Sequence, residues 1–173
     1  NSVDPETGER IPPGKPGLML IKGPNVMIGY LNNPEKTTEV LRDGWYNTGD
    51  IAIVDKDGFV TITDRLSRFS KIGGEMVPHI GVEEAYHRAL GKTAQVLAVA
   101  AVPDEKKGER LVVLYTPEAG DVEQLRQIMH ESELPNLWKP AADAYHPIEA
   151  LPLLGSGKLD LKGLKDIAGK LAG

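Results

Sequence analysis

Asp50, Arg65, Lys158 and the pair Gly73-Gly74 are the residues whose types and settings could do chemistry. Asp50 closes the run Gly44-Trp45-Tyr46-Asn47-Thr48-Gly49-Asp50. A carboxylate behind a Thr-Gly turn can offer both oxygens to two vicinal hydroxyls, which is how a carboxylate reads a ribose. It can equally be a turn aspartate that caps the next strand. Arg65, followed by a second basic residue at Arg68, carries a permanent charge. Beside a nucleotide it would bind ribose and phosphate oxygens; otherwise it is a solvated strand-end arginine. Gly73 and Gly74, inside Lys71-Ile72-Gly73-Gly74-Glu75, allow close approach of backbone to a ligand, or form a simple glycine bulge. Lys158 ends Leu151-Pro152-Leu153-Leu154-Gly155-Ser156-Gly157-Lys158. The glycines make this loop mobile, so the ammonium could be brought between two anionic reactants and withdrawn. The plain alternative is a surface lysine. A phosphate-binding loop is excluded, because Pro152 stands where that motif needs its first glycine and Leu159 where it needs Ser or Thr.

These residues need turns and strands to hold them. Leu18 to Ile21 reads as a strand, Gly23-Pro24-Asn25 breaks it, and Val26 to Tyr30 reads as resumed extended structure. Asn33-Pro34-Glu35 is a helix start, with the helix ending near Arg42. Ile51 to Val54 and Phe59 to Thr63 flank Asp55-Lys56-Asp57-Gly58 and predict a hairpin. Beyond Arg65 strands and helices alternate. Val82, Ala85, Tyr86, Ala89 and Leu90 keep helical spacing up to Gly91. Glu83 and Glu84 on that helix read as solvent-facing or capping residues. Gln95 to Val102 is a buried strand, Leu111 to Tyr115 another, and Ala144 to Ile148 a short third. Asp121 is positioned to cap a helix carrying Val122, Leu125, Ile128 and Met129. Leu161, Leu164, Ile167, Ala168 and Leu171 form the inner face of the last helix. The expected fold is α+β: residues 1–66 as the end of a β-rich subdomain, a hinge, then residues 67–173 as a small α+β domain with a short sheet and about three helices.

Composition narrows the classes. Hydrophobic residues make up 40%, too many for a disordered chain. A net charge of −5 argues against a general nucleic-acid binder. With 0 cysteines there is no disulfide, thiolate ligand or cysteine nucleophile. His79, His87, His130 and His146 lack metal-ligand spacing and read as structural or surface residues, so no metal site is expected. Trp45 and Trp138 read as packing residues. Lys106, Lys107 and Arg110 form a small basic cluster, either a docking patch for an acidic partner or a solvated loop. No apolar run is long enough to span a bilayer and no leader is visible, which fits a cytoplasmic protein. The opening residues read like the middle of a longer polypeptide.

Three segments in order resemble the adenylate-forming enzymes, the family of acyl-CoA synthetases, luciferases and peptide-synthetase adenylation domains. Gly44 to Asp50 is similar to its Gly-Trp-x-x-Thr-Gly-Asp signature, Asp64-Arg65 to its interdomain junction, and Pro152 to Lys158 to its Pro-x-x-x-x-Gly-Lys motif. The resemblance implies that Asp50 and Arg65 bind the ribose of ATP or AMP. It implies that Ser67 is the hinge, where many relatives carry Asp or Lys, that Gly73 and Gly74 shape the pantetheine loop of the thioester step, and that Lys158 is the adenylation lysine. Asp64 departs from the glycine of many members. Mg²⁺ is implied with ATP, its ligands outside this stretch, as are the phosphate-gripping loop and acyl pocket. A fragment with this content is not expected to adenylate alone.

Within the family, Arg68 to Val77 and Pro152 to Lys158 look most like bacterial acyl-[acyl-carrier-protein] synthetases fused to a 2-acylglycerophosphoethanolamine acyltransferase. That implies a fatty acid as substrate, acyl-carrier protein as acceptor, an upstream adenylating domain, and a place in the cytoplasm or at the cytoplasmic face of the inner membrane. The alternatives are a ligase that uses CoA, a non-catalytic carrier-docking module, and an α/β domain with chance motifs.

Overall fold

The computed structural model describes residues 1–172 and divides into two units, Asn1–Leu66 and Ser67–Gly173. The first is built on one sheet. β2 (Pro16–Ile21) lies between β1 (Ser2–Val3) and β4 (Trp45–Val54), all antiparallel. β3 (Leu41–Arg42) and β5 (Val60–Arg65) each pair with β4. Asp55 closes the β4–β5 hairpin: its Oδ1 accepts from the amides of Asp57 and Phe59, both at 2.9 Å. α1 (Pro34–Val40) starts as its sequence dictates, with Asn33 Oδ1 accepting from the Lys36 amide at 3.0 Å and Pro34 in the first turn. Two expectations change here. Val26 to Tyr30 forms no strand, because Gly29, at φ 157°, and the turn ending at Asn33 leave it no ladder partner. β4 begins at Trp45, so Thr48 and Gly49, read as a turn ahead of Asp50, lie within a strand.

The second unit wraps both faces of a five-stranded sheet. β8 (Leu97–Asp104) pairs antiparallel with β9 (Gly108–Tyr115) along its whole length. β6 (Phe69–Ile72) and β7 (Glu75–Pro78) form a hairpin joined to β9 at Ile72–Gly108, and β10 (Tyr145–Pro147) joins β9 in parallel. Residues alternate across a strand. Leu97, Val99 and Ala101 therefore meet Val82, Tyr86, Leu125 and Met129 from α2 (His79–Leu90) and α3 (Val122–Glu131). Ala98, Ala100 and Val102 meet Leu164 and Ala168 from α4 (Leu161–Ala172). Burial on both faces is why this strand reads as an unbroken apolar run. Gly91 ends α2 in the left-handed conformation at φ 63°. Asp121 sits at the start of α3 but makes no side-chain capping bond there.

Candidate functional site

Asp50 is positioned by a bulge in β4. Leu18 faces Ile51 and Leu20 faces Asn47, so Met19 alone stands opposite Thr48, Gly49 and Asp50. The side chains of the motif hold this irregular backbone. Asn47 Oδ1 accepts from the Gly49 amide at 2.9 Å, and Thr48 Oγ1 accepts from the Asp50 amide at 3.0 Å. Thr48 Oγ1 also donates to the Met19 carbonyl at 2.9 Å, pinning the bulge to β2. Gly49 has φ 71°, the left-handed region that glycine enters at no cost. On its other side β4 pairs with β5, where a register shift between Ile51 and Ala52 leaves Thr63 without an opposite residue and sets Asp50 directly across from Arg65. Arg65 Nε and Asp50 Oδ1 stand 2.7 Å apart, with Arg65 64% exposed and Asp50 17% exposed. A mostly sheltered carboxylate and a solvent-facing guanidinium thus share one edge of the sheet. Together they can bind a diol on one oxygen pair and an anion on the cation. Asp64, beside them, is buried, and its Oδ1 accepts from the Arg65 amide at 2.7 Å.

In the second unit Ser67 is exposed within a 3₁₀ turn, Leu66–Arg68. Gly73 and Gly74 are the two-residue tip of the β6–β7 hairpin, with φ 59° and 90° and Ile72 paired to Glu75. Positive φ at both positions is the primed turn that matches the twist of a hairpin. The glycines thus answer a turn requirement, and an added Cβ on Gly74 would meet nothing within 4 Å. Lys158 lies at the mouth of a small loop. Its carbonyl accepts from the Leu154 amide at 2.8 Å, and the Asp160 amide donates to the Pro152 carbonyl at 2.8 Å. Leu153 to Lys158 are all exposed, so the loop is held at its base and open at its tip.

Sequence reasoning missed one cluster. Glu83 is not solvent-facing: it is 5% exposed and Arg68 is likewise 5% exposed. Arg68 Nη2 donates to Glu83 Oε2 at 2.5 Å, and Arg68 Nη1 donates to the Val99 carbonyl at 3.3 Å. Glu83 Oε1 accepts from the Val99 amide at 2.6 Å. Burial pushes the Glu83 carboxyl above its usual range, while Arg68 and the Val99 amide pull it back. Beside this pair, His79 Nε2 lies 2.7 Å from Ser70 Oγ. Burial, helped by the charges of Arg68 and Lys165, holds the His79 pKa down to about 3. His87 is structural as well, with Nδ1 2.8 Å from the Glu83 carbonyl and Nε2 accepting from the Val96 amide at 3.2 Å. Arg110 leaves the proposed basic patch, since its guanidinium donates to the Ala172 carbonyl at 2.6 Å. Among the described residues no group of three or more His, Asp or Glu is arranged to hold a metal, and no helix is long and apolar enough to cross a membrane.

Residues 81–158 match the family described as the AMP-binding enzyme C-terminal domain. That match lies wholly within the second unit, and similarity to acid–CoA ligases extends over most of the chain. It is 38% identical over 160 residues to a feruloyl-CoA synthase from an Amycolatopsis species, covering 91% of this chain and 31% of the relative. It is 38% identical over 159 residues to a long-chain-fatty-acid–CoA ligase of Bacillus subtilis, covering 89% of this chain and 27% of that one. Among solved structures, ATP-bound MatB from Rhodopseudomonas palustris superposes with a TM-score of 0.74 at 28% identity, covering 96% of this chain and 33% of that one. The chain therefore spans about a third of the length of the relatives it matches. The two curated relatives are a CoA synthase and a CoA ligase by name, and neither supports the narrower likeness to acyl-[acyl-carrier-protein] synthetases.

Proposed function

We propose that the chain is the C-terminal part of an ATP-dependent acid–thiol ligase that activates a carboxylic acid as its acyl-adenylate and then passes the acyl group to a pantetheine thiol. The observation that carries this reading is the Asp50–Arg65 pair, directly opposed across β4 and β5 with Arg65 Nε 2.7 Å from Asp50 Oδ1. Residues 1–66 form the end of the large adenylating domain and residues 67–173 the small mobile domain, with Ser67 as the hinge. Asp50 accepts from the ribose hydroxyls of ATP or AMP, and Arg65 turns from Asp50 toward the nucleotide oxygens. In the first step the substrate carboxylate attacks the α-phosphorus and pyrophosphate leaves. Lys158 offsets the negative charge gathered between the two anions. In the second step the thiol attacks the acyl carbonyl, AMP leaves, and the Gly73-Gly74 tip lines the path of the thiol. Mg²⁺ would accompany ATP, and the described residues offer no acidic cluster for it.

CoA is the acceptor favoured by the named relatives, with a fatty or aromatic acid as substrate. The second reading, acyl-carrier protein as acceptor with a fused acyltransferase domain, rests on the likeness of Arg68 to Val77 and Pro152 to Lys158 to acyl-[acyl-carrier-protein] synthetases. Either activity belongs in the cytoplasm, where ATP and both thiols are. The test is the full-length parent with ATP, Mg²⁺ and fatty or aromatic acids, offered CoA or holo-acyl-carrier protein. Lys158→Ala should lower adenylate formation by roughly 10²–10³-fold, the size expected for one lost electrostatic contact to a transition state. Unchanged acid-dependent ATP–pyrophosphate exchange in that variant would remove Lys158 from the mechanism.

A further inference from the structure

The buried pair Arg68–Glu83 has no part in the reaction as described, yet it lies one residue beyond Ser67. Val99 and Val113 face each other across β8 and β9, and the Val113 amide donates to Ala144 on the far side. Directly opposed residues in an antiparallel pair point both polar groups the same way, inward or outward. Val99 therefore turns its own N–H and C=O to the open edge of β8. Glu83 takes that N–H and Arg68 takes the C=O, while the two side chains close on each other. The result is a ring of α2, β8 and the 3₁₀ turn, sealed from water. From Phe69 onward the chain is held by other means: Phe69 pairs with Pro78 and Ser70 with Val77. Arg68 is thus the contact that binds the Ser67–Arg68 segment to its own unit.

We propose that Arg68 is a positioning residue for the ligase reaction, clamped by Glu83 and Val99 so that the chain bends at Ser67 and not farther along. This rests on the hinge reading of Ser67. Releasing the clamp frees Ser67 and Arg68, which adds roughly 7 Å of slack at about 3.5 Å per residue. Lys158 and the Gly73-Gly74 tip both ride on the unit beyond that slack. Misplacing a reacting group by about 1 Å can cost a hundredfold in rate. The nucleotide ligands Asp50 and Arg65 lie before the hinge and are untouched.

The test variant is Arg68→Met with Glu83→Gln, which leaves no unpaired charge and keeps an acceptor for the Val99 amide. In the full-length parent, both half-reactions should fall at least tenfold in kcat, with the KM for ATP within about twofold of wild type. Arg68→Lys, which keeps the charge but not the forked contact to Val99, should recover part of the loss. Hydrogen exchange should show the Ser67 and Arg68 amides opening at least tenfold faster while Leu111 to Leu114 stay protected. Wild-type kcat in the double variant, or unchanged exchange at Ser67 and Arg68, overturns the proposal. A wild-type parent without acid-dependent ATP–pyrophosphate exchange would defeat the ligase reading instead, and the exchange measurement would still decide the clamp.

Discussion

His79 should make the stability of the second unit depend on pH. It is 5% exposed, its pKa is held down to about 3, and its ring is bonded to Ser70. In the unfolded chain the same imidazole has a pKa of about 6.5. The folded value is the lower one, so the fold prefers the neutral ring. That preference is fully expressed above the unfolded pKa and is lost as pH falls from about 6.5 toward 3. At pH 5 roughly 97% of the unfolded rings carry a proton while the folded ring does not, which costs about 2 kcal/mol relative to pH 8. For a unit of about 100 residues this is a fall in Tm of roughly 8–16 °C. Glu83, pushed upward by burial, acts in the opposite sense, so the comparison must be made between proteins that share it. In a Trp45→Phe background, Trp138 is the one tryptophan left and reports on the second unit. Melting by its fluorescence at pH 8 and pH 5 should show a smaller pH-dependent fall in His79→Gln than in the parent. Parallel losses in the two proteins would refute the reasoning.

Other outcomes follow from single contacts. Gly74→Ala places a Cβ at φ 90° in the hairpin tip and should cost about 1–2 kcal/mol in denaturant unfolding, without a steric clash. Leu125→Ala empties a side chain that is 0% exposed in the core and should cost about 2–5 kcal/mol. Asn33→Ala removes the acceptor for the Lys36 amide and should destabilise α1 by about 1 kcal/mol, seen as faster hydrogen exchange in residues 36–40. Asp50→Ala in the full-length parent should raise the Kd for ATP while leaving the melting of the second unit unchanged, measured by calorimetry.

Where a residue's neighbours in sequence are also its neighbours in space, the chain could be read directly. The Asp55 to Gly58 turn, the Asn33 cap and the Gly91 stop are of this kind; of the residues read as the inner face of α4, Leu164 and Ala168 are buried and Ile167 packs against them, while Leu171 is 45% exposed. β8 was legible because an eight-residue strand buried on both sides leaves no place for a polar side chain until its end. The motif residues were legible as candidates, but not their setting. Nothing in Gly44 to Asp50 shows that Asp50 sits on a bulge, since the bulge is defined against Met19 on another strand. Glu83 was misread because it stands next to Glu84 on a helix, and a charged doublet looks solvated. Its partner Arg68 is fifteen residues upstream, and the backbone it satisfies is sixteen residues downstream. A capping side chain was assigned to Asp121 from its type alone, and there the geometry did not supply the bond.

The ring around Val99 also bears on how the molecule avoids its own kind. The stretch Leu97-Ala98-Val99-Ala100-Ala101-Val102 is uncharged, apolar and free of proline and glycine. Such a strand, with one edge open, is a template for a second strand and a seed for cross-β association. Arg68 and Glu83 fill the hydrogen-bonding positions that an incoming strand would need at its midpoint. Their contribution is then kinetic as well as thermodynamic, because a chain that has folded far enough to form β8 but not yet the ring is the form exposed to aggregation. Refolding yield, measured against protein concentration, should therefore fall more steeply for Arg68→Met than for core variants of the same stability.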